Sequence, residues 1–192
     1  MSTLVKAFLA AGLSLALGLW LTQRSLDRGG LFDATRVGAW SLNVRTGAID
    51  ADPYARAGLA QSGEIPIGLG EGLTLVARTD DEGRPLQARC SYKIAPRAPV
   101  ARYWTLELTD LDGAPVDNPS ERYAFRSSEL LREADGTFAV FVSASAHPGN
   151  WLPVGSPRPF ELVLRLYDSP VSATTGGVDK ATAPKVTRES CA

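Results

Sequence analysis

Apolar and polar residues alternate along most of this chain, and the alternation breaks at turns rich in Gly, Pro and Asp. Trp40, Leu42 and Val44 alternate with Ser41 and Asn43, which predicts a first strand. From Glu71 onward the period stays close to two. Leu73, Leu75 and Ala77 form one face, the charged turn Asp80-Asp81-Glu82-Gly83 follows, and Leu86, Ala88, Cys90, Tyr92 and Ile94 form the next; together they predict a hairpin. Trp104, Leu106 and Leu108 repeat the pattern up to Asp110-Leu111-Asp112-Gly113. A weaker strand is expected around Arg122 to Arg126, and Phe138, Val140, Val142 and Ala144 make another apolar face. A loop stiffened by Pro148, Gly149 and Pro153 then leads into Phe160, Leu162, Leu164 and Leu166, the last strand expected. Asp52-Pro53 announces the one helix of more than two turns expected in this part, Tyr54 to Gln61, because Asp52 can cap it and Pro53 fits its first position. Strands at this spacing predict an all-β, antiparallel β-sandwich with one short helix. No internal repeat is read, and Ser169 to Gly177 is a Ser/Thr/Gly loop.

The N-terminus follows a different rule. Ala7 to Leu21 is fifteen residues without a charge, and with Met1 to Val5 it reaches the length of a minimal transmembrane helix, Lys6 snorkelling. Leu19-Trp20-Leu21-Thr22-Gln23-Arg24 offers no small residues at the positions a signal peptidase reads, so an uncleaved anchor is expected. The chain therefore divides into a signal anchor at 1–23, a polar linker at 24–34 and a sandwich domain at 35–192. Lys6 and the amino terminus are countered by Arg24 and Arg28, so flanking charge does not set the orientation.

Cys90 sits on the apolar face of its run and Cys191 close to the C-terminus. In an exported chain such a pair oxidises, and a disulfide closing a loop of ~100 residues contributes up to about 4 to 5 kcal/mol in the chain-entropy account. The other reading is two unrelated thiols, one buried and one on a tail. A disulfide places the domain outside the cytoplasm, on the periplasmic face of an inner membrane. The formal charge of -1, with both signs interspersed, supplies no basic stripe for nucleic acid.

Chemistry-bearing residues are sparse. His147 is the single histidine, and with Cys90 and Cys191 it matches no zinc spacing, so neither a metal nor a cofactor is expected. Asp110-x-Asp112-Gly113 with Glu121 fails as a calcium loop, because Ala114 and Pro115 occupy positions that need an oxygen ligand and Gly. Ser143 and Ser145 precede His147, but no Gly-x-Ser-x-Gly turn presents either as a nucleophile. Glu107 and Glu161 suit paired-carboxylate hydrolysis only if the fold brings them to the right separation. Arg102, Trp104, Asn150, Trp151, Arg165 and Tyr167 are the residue types that stack on sugars and grip carboxylates, and equally the types that tie a Pro-rich loop to a strand.

Cys90-Ser91-Tyr92, Arg102-Tyr103-Trp104-Thr105-Leu106, Asp112-Gly113, Gly149-Asn150-Trp151-Leu152-Pro153, Phe160, Leu164-Arg165-Leu166-Tyr167, Pro184 and Cys191 together resemble the short, singly anchored members of the domain of unknown function 1214 family of Gram-negative envelope proteins. The resemblance spans roughly Tyr54 to Cys191. It departs from the pattern at Ala95, where Gly is expected, and at Tyr103, where a second Trp is common. Longer members carry a domain of unknown function 1254 ahead of this one, which is not read here, so activities that depend on it do not carry over. The resemblance implies a jelly-roll-like sandwich and supplies no catalytic residue. The expected function is a non-catalytic envelope protein binding a glycan, a small ligand or a protein partner; the alternative is an envelope hydrolase or carbohydrate-active enzyme near Asn150-Trp151.

Overall fold

The computed structural model describes residues 2–27, 34–43, 48, 51, 53–62, 65–68, 70–155, 158–170, 178–179 and 181–191. Helix α1 (Thr3–Asp27) is followed by β1 (Ala34–Val37), β2 (Trp40–Asn43), α2 (Pro53–Ser62), β3 (Gly72–Ala77), β4 (Cys90–Ala95) and β5 (Tyr103–Asp110). Then come β6 (Ala124–Arg126), β7 (Val140–Ser143), β8 (Asn150–Pro153), β9 (Phe160–Tyr167) and β10 (Lys185–Cys191). Asp52, Val44 and most of the expected linker and of the Ser169 to Gly177 loop lie outside the described residues.

The strands form two sheets. Six lie in the order β1-β2-β3-β9-β5-β6 and four in the order β10-β4-β7-β8. Their inner faces share one core: Leu75, Leu106 and Leu164 from the larger sheet meet Tyr92, Ile94 and Val142 from the smaller. Tyr92 and Phe160 pack edge to face across it, ring centroids 5.9 Å apart, and Trp104 lies 5.2 Å from Phe138. Period-two alternation made these faces because successive side chains of a strand point to opposite sides.

The structure differs from the sequence expectation in four places. β3 and β4 are not a hairpin: they lie in different sheets, and only an isolated bridge, Thr79 to Pro85, links the two sides of their turn. Two of the strands were not anticipated at all, β1 and β10. β10 is an edge strand, antiparallel to β4 with a register shift between Arg188 and Ser190. Finally, the Pro-stiffened loop contains β8, which runs parallel to β7, so the smaller sheet is mixed rather than antiparallel.

Unlike the strands, α1 contributes no residue to the core among the described residues. Its side chains are exposed from Thr3 to Arg24, and Thr3–Ser25 is long and apolar enough to cross a membrane.

Candidate functional site

Two turns with the same sequence frame shape one end of the molecule. Thr79-Asp80-Asp81-Glu82-Gly83-Arg84-Pro85-Leu86 and Thr109-Asp110-Leu111-Asp112-Gly113-Ala114-Pro115-Val116 share Thr, Asp, Gly and Pro at matching positions thirty residues apart, a local repeat that the alternation had hidden. Asp80 Oδ1 accepts the backbone N–H of Glu82 (3.1 Å) and Arg84 (2.9 Å), and Asp110 Oδ1 accepts those of Asp112 (3.0 Å) and Ala114 (2.9 Å). Gly83 and Gly113 take φ of 80° and 85°, a region costly for a residue with a Cβ.

The two turns then diverge. Asp110 is only partly buried, whereas Asp80 is 1% exposed beneath two arginines. Arg84 Nε donates to Asp80 Oδ2 at 2.9 Å, and Arg188 Nε from β10 lies 3.0 Å from the same oxygen in an ion pair without hydrogen-bond alignment. Burial pushes the Asp80 carboxyl up, but the hydrogen bonds from the Arg84 backbone and side chain and the charge of Arg188 outweigh it and hold the pKa below the ordinary carboxylate value. Arg188 also donates to the Pro85 carbonyl (2.7 Å), with its guanidinium 5.5 Å from the Tyr92 ring centroid. Next to Asp80, Asp81 accepts Ala39 N–H (3.2 Å) through Oδ1 and Val186 N–H (2.9 Å) through Oδ2. The Asp80 turn, Val37-Gly38 and the chain from Ala183 to Arg188 line a concavity of about 350 Å³, and Asp80, Arg84 and Arg188 are among its lining residues.

The residues singled out from sequence do not converge on that concavity or on each other. Arg102 is exposed at the opposite end, 3.6 Å from Asp168. Trp104 is in the core between the sheets. Arg165 pairs with Glu107 on the outer face of the larger sheet, and Tyr167 stands opposite Tyr103 on the same face, ring centroids 5.9 Å apart. Asn150 is buried, and its amide spans two segments: Oδ1 accepts Leu131 N–H (2.8 Å) while Nδ2 donates to the carbonyls of Leu131 and Ala139 (both 2.9 Å). Trp151 is half-buried on the outer face of the smaller sheet, in register with Phe141, its Nε1 donating to Ser143 O at 3.0 Å. It therefore does not pack against Trp104 or Leu164, which lie on the other side of its sheet.

Nor do the candidate catalytic groups assemble. The His147 ring stacks on Phe141 at 3.6 Å, with Nδ1 2.7 Å from Pro148 O, and the Ser143 hydroxyl donates to Ser145 O. Glu161, 7% exposed, receives Arg78 Nε at 2.7 Å and the Thr109 hydroxyl at 3.4 Å. Each glutamate is thus engaged by an arginine, and among the described residues no hydroxyl is hydrogen-bonded to the imidazole. Among those residues, too, no group of three or more His, Cys, Asp or Glu could hold a metal ion.

Cys90 and Cys191 face each other in register on β4 and β10, at disulfide distance, S–S 2.02 Å and Cα–Cα 3.9 Å. That Cα separation is shorter than the ~4.4 to 6.8 Å usual for a disulfide.

Residues 71–171, just over half of the chain, match the family model described as Protein of unknown function (DUF1214). The chain belongs to that family. The match runs from the start of β3 to just past β9, narrower than the Tyr54 to Cys191 span that the motifs suggested, and leaves β1, β2 and β10 outside the DUF1214 core. Those flanking strands occupy one edge of each sheet and meet across the Asp80-Asp81 turn, where the concavity lies. The crystal structure of the VPA0106 protein from Vibrio parahaemolyticus is similar over 99% of this chain and 46% of that one, with a TM-score of 0.62 at 17% identity. An uncharacterized protein from Burkholderia cenocepacia aligns over 96% of this chain and 52% of its own, with a TM-score of 0.45 at 18% identity. The chain thus spans about half the length of these proteins, and at such identity the first likeness speaks to fold alone. No curated protein matches the chain.

Proposed function

We propose that this chain is a single-pass inner-membrane protein whose DUF1214 domain faces the periplasm and works without catalysis, as a fixed surface that binds a glycan, a small ligand or an envelope protein. The observation that carries the reading is the pairing of an exposed, apolar α1 with two cysteines at bonding distance, one on β4 and one on the last strand. An apolar helix with no protein cover needs lipid. A disulfide persists in an oxidising compartment. The proposed divisions are an anchor at 1–23, a linker at 24–34 and the domain at 35–192, with α1 continuing as helix to Asp27.

The winding supports a jelly-roll-like reading, since the chain crosses between the sheets at β3–β4, β4–β5, β6–β7, β8–β9 and β9–β10. A non-catalytic role is favoured because His147, Glu107 and Glu161 are each committed to a neighbour. The Asn150-Trp151 segment reads as a structural latch, as three hydrogen bonds from one buried amide tie β8 to the two segments before it. The concavity at the Asp80 turn is of a size that suits a small polar ligand. Fusion of alkaline phosphatase after residue 192 tests the orientation: an active fusion is expected, and an inactive one beside an active cytoplasmic reporter overturns the reading.

A further inference from the structure

The direction of the strands decides which end of the domain lies toward α1. β1, β3 and β5 run the same way, each antiparallel to its neighbours β2, β9 and β6, so all three begin at one end of the larger sheet. From Asp27 at the end of α1 to Ala34 at the start of β1 there are seven residue steps, at most ~25 Å of fully extended chain. The eight residues of β9 span about as much along the sheet, so presenting the far end to the bilayer would leave the tether fully stretched. α1 and α2 are also in contact, and α2 ends three residues before Ile65, which leads into β3.

That near end carries exposed apolar side chains. Ile65 is 90% exposed and Val100 71%, and the half-buried rings of Tyr103 and Tyr167 lie beside each other on the outer face at the same level. Val100 is held there by Ser169, whose hydroxyl donates to its carbonyl at 2.6 Å, and Arg102 N–H donates to Asp168 O. Two arginines at this end stand beside carboxylates, Arg102 with Asp168 and Arg126 with Glu129. Branched aliphatics beside tyrosines suit the interface between lipid headgroups and acyl chains.

We infer that this end of the sheet rests on the bilayer, with Ile65, Val100 and the Tyr103–Tyr167 pair in the lipid interface, so that the Asp80 concavity is held at the far end, facing away from the membrane. The inference rests on α1 being an anchor, and its test separates the two. In the full chain, with the native cysteine pair oxidised, an environment-sensitive fluorophore is placed on Leu13→Cys, Val100→Cys or Leu111→Cys, and the protein is reconstituted into vesicles of phosphatidylethanolamine and phosphatidylglycerol containing brominated lipids. All three side chains are exposed, so the labels need not disturb the core. Quenching by mid-chain bromines at Leu13, severalfold stronger quenching by interface-level bromines at Val100 than at Leu111, and a blue shift at Val100 are expected. Strong quenching at Leu13 with equal, weak quenching at Val100 and Leu111 overturns the docking and leaves the anchor standing. An unquenched Leu13 removes the anchor and the docking with it. A blue-shifted but unquenched Val100 means that protein, a second copy of this chain included, covers this end, and overturns the proposal.

Discussion

The indole Nε1 of Trp40 donates a 2.6 Å hydrogen bond to the carbonyl of Pro184, 144 residues further along the chain. The bond joins β2, next to the edge strand of the larger sheet, to the residue before β10, the edge strand of the smaller. Asp81 makes the same connection once more, accepting Ala39 N–H with one carboxylate oxygen and Val186 N–H with the other. The elements outside the DUF1214 core therefore close one side of the two-sheet stack over the Asp80 turn. Trp40 is buried, so Trp40→Phe should keep most of the packing and strand the Pro184 carbonyl, costing about 1 to 3 kcal/mol. Trp40→Ala should cost about 3 to 5 kcal/mol. Urea unfolding of both variants checks the order; equal, small losses would show that the two edges are not coupled through this ring.

Asp80 should make stability depend on acid in one direction. Its folded pKa lies below the ordinary carboxylate value, so its contribution is complete above that value and is lost as the pH falls through the lower folded value. Asp80→Asn should cost about 2 kcal/mol at neutral pH, because Arg84 and Arg188 lose the negative charge they share. The gap between the variant and the parent should hold from neutrality down to about pH 5 and narrow below pH 4. Denaturant midpoints measured across that range give the answer, and a gap that widens in acid would contradict it.

Much of the core was legible in the sequence. Leu73, Leu75, Ala77, Cys90, Tyr92, Ile94, Leu106, Leu108, Leu162 and Leu164 alternate, and all are buried. Alternation reports which face of a strand is apolar; it does not report which strand lies beside it. The Asp80-Gly83 turn thus read as a hairpin loop, although the chain there passes from one sheet to the other. β10 was illegible for a related reason: in Lys185-Val186-Thr187-Arg188-Glu189-Ser190-Cys191 only Val186 is buried, because an edge strand with an exposed outer face needs little apolar patterning. Of the site, Asn150 and Trp151 were visible by type, but the Asp80 cluster was not. Its signal was the Asp-x-x-Gly-x-Pro frame repeated thirty residues on, with arginines only at the first copy and on β10.

The Asn150 latch and Trp151 should separate energetically. Asn150→Ala leaves Leu131 N–H and the Leu131 and Ala139 carbonyls without their partner and should cost about 2 to 4 kcal/mol. Trp151→Ala, at a half-buried position, should cost less, about 1 to 2 kcal/mol. Thermal melts of the two variants test the order; a Trp151 variant that melts with the parent would instead mark its indole as a binding surface.

Removing the covalent tie should weaken the domain without unfolding it. Cys191→Ser is the cleaner variant, since Cys191 is exposed and Cys90 buried. Opening a loop of 101 residues should cost about 2 to 5 kcal/mol. The contacts of Trp40, Asp81 and Arg188 should still hold β10 in place, so unfolding should remain cooperative. Early proteolysis of the C-terminal strand in an otherwise protected domain would show that those contacts are too weak to hold it alone.

The central claim, an anchored and oxidised domain outside the cytoplasm, is tested most directly by the intact mass of the protein extracted from washed cell membranes after alkylation without reductant. The account predicts a membrane-retained chain that still carries α1 and has taken up no alkyl group at Cys90 or Cys191. A chain carrying two alkyl groups, or one recovered in the soluble fraction without α1, would contradict it.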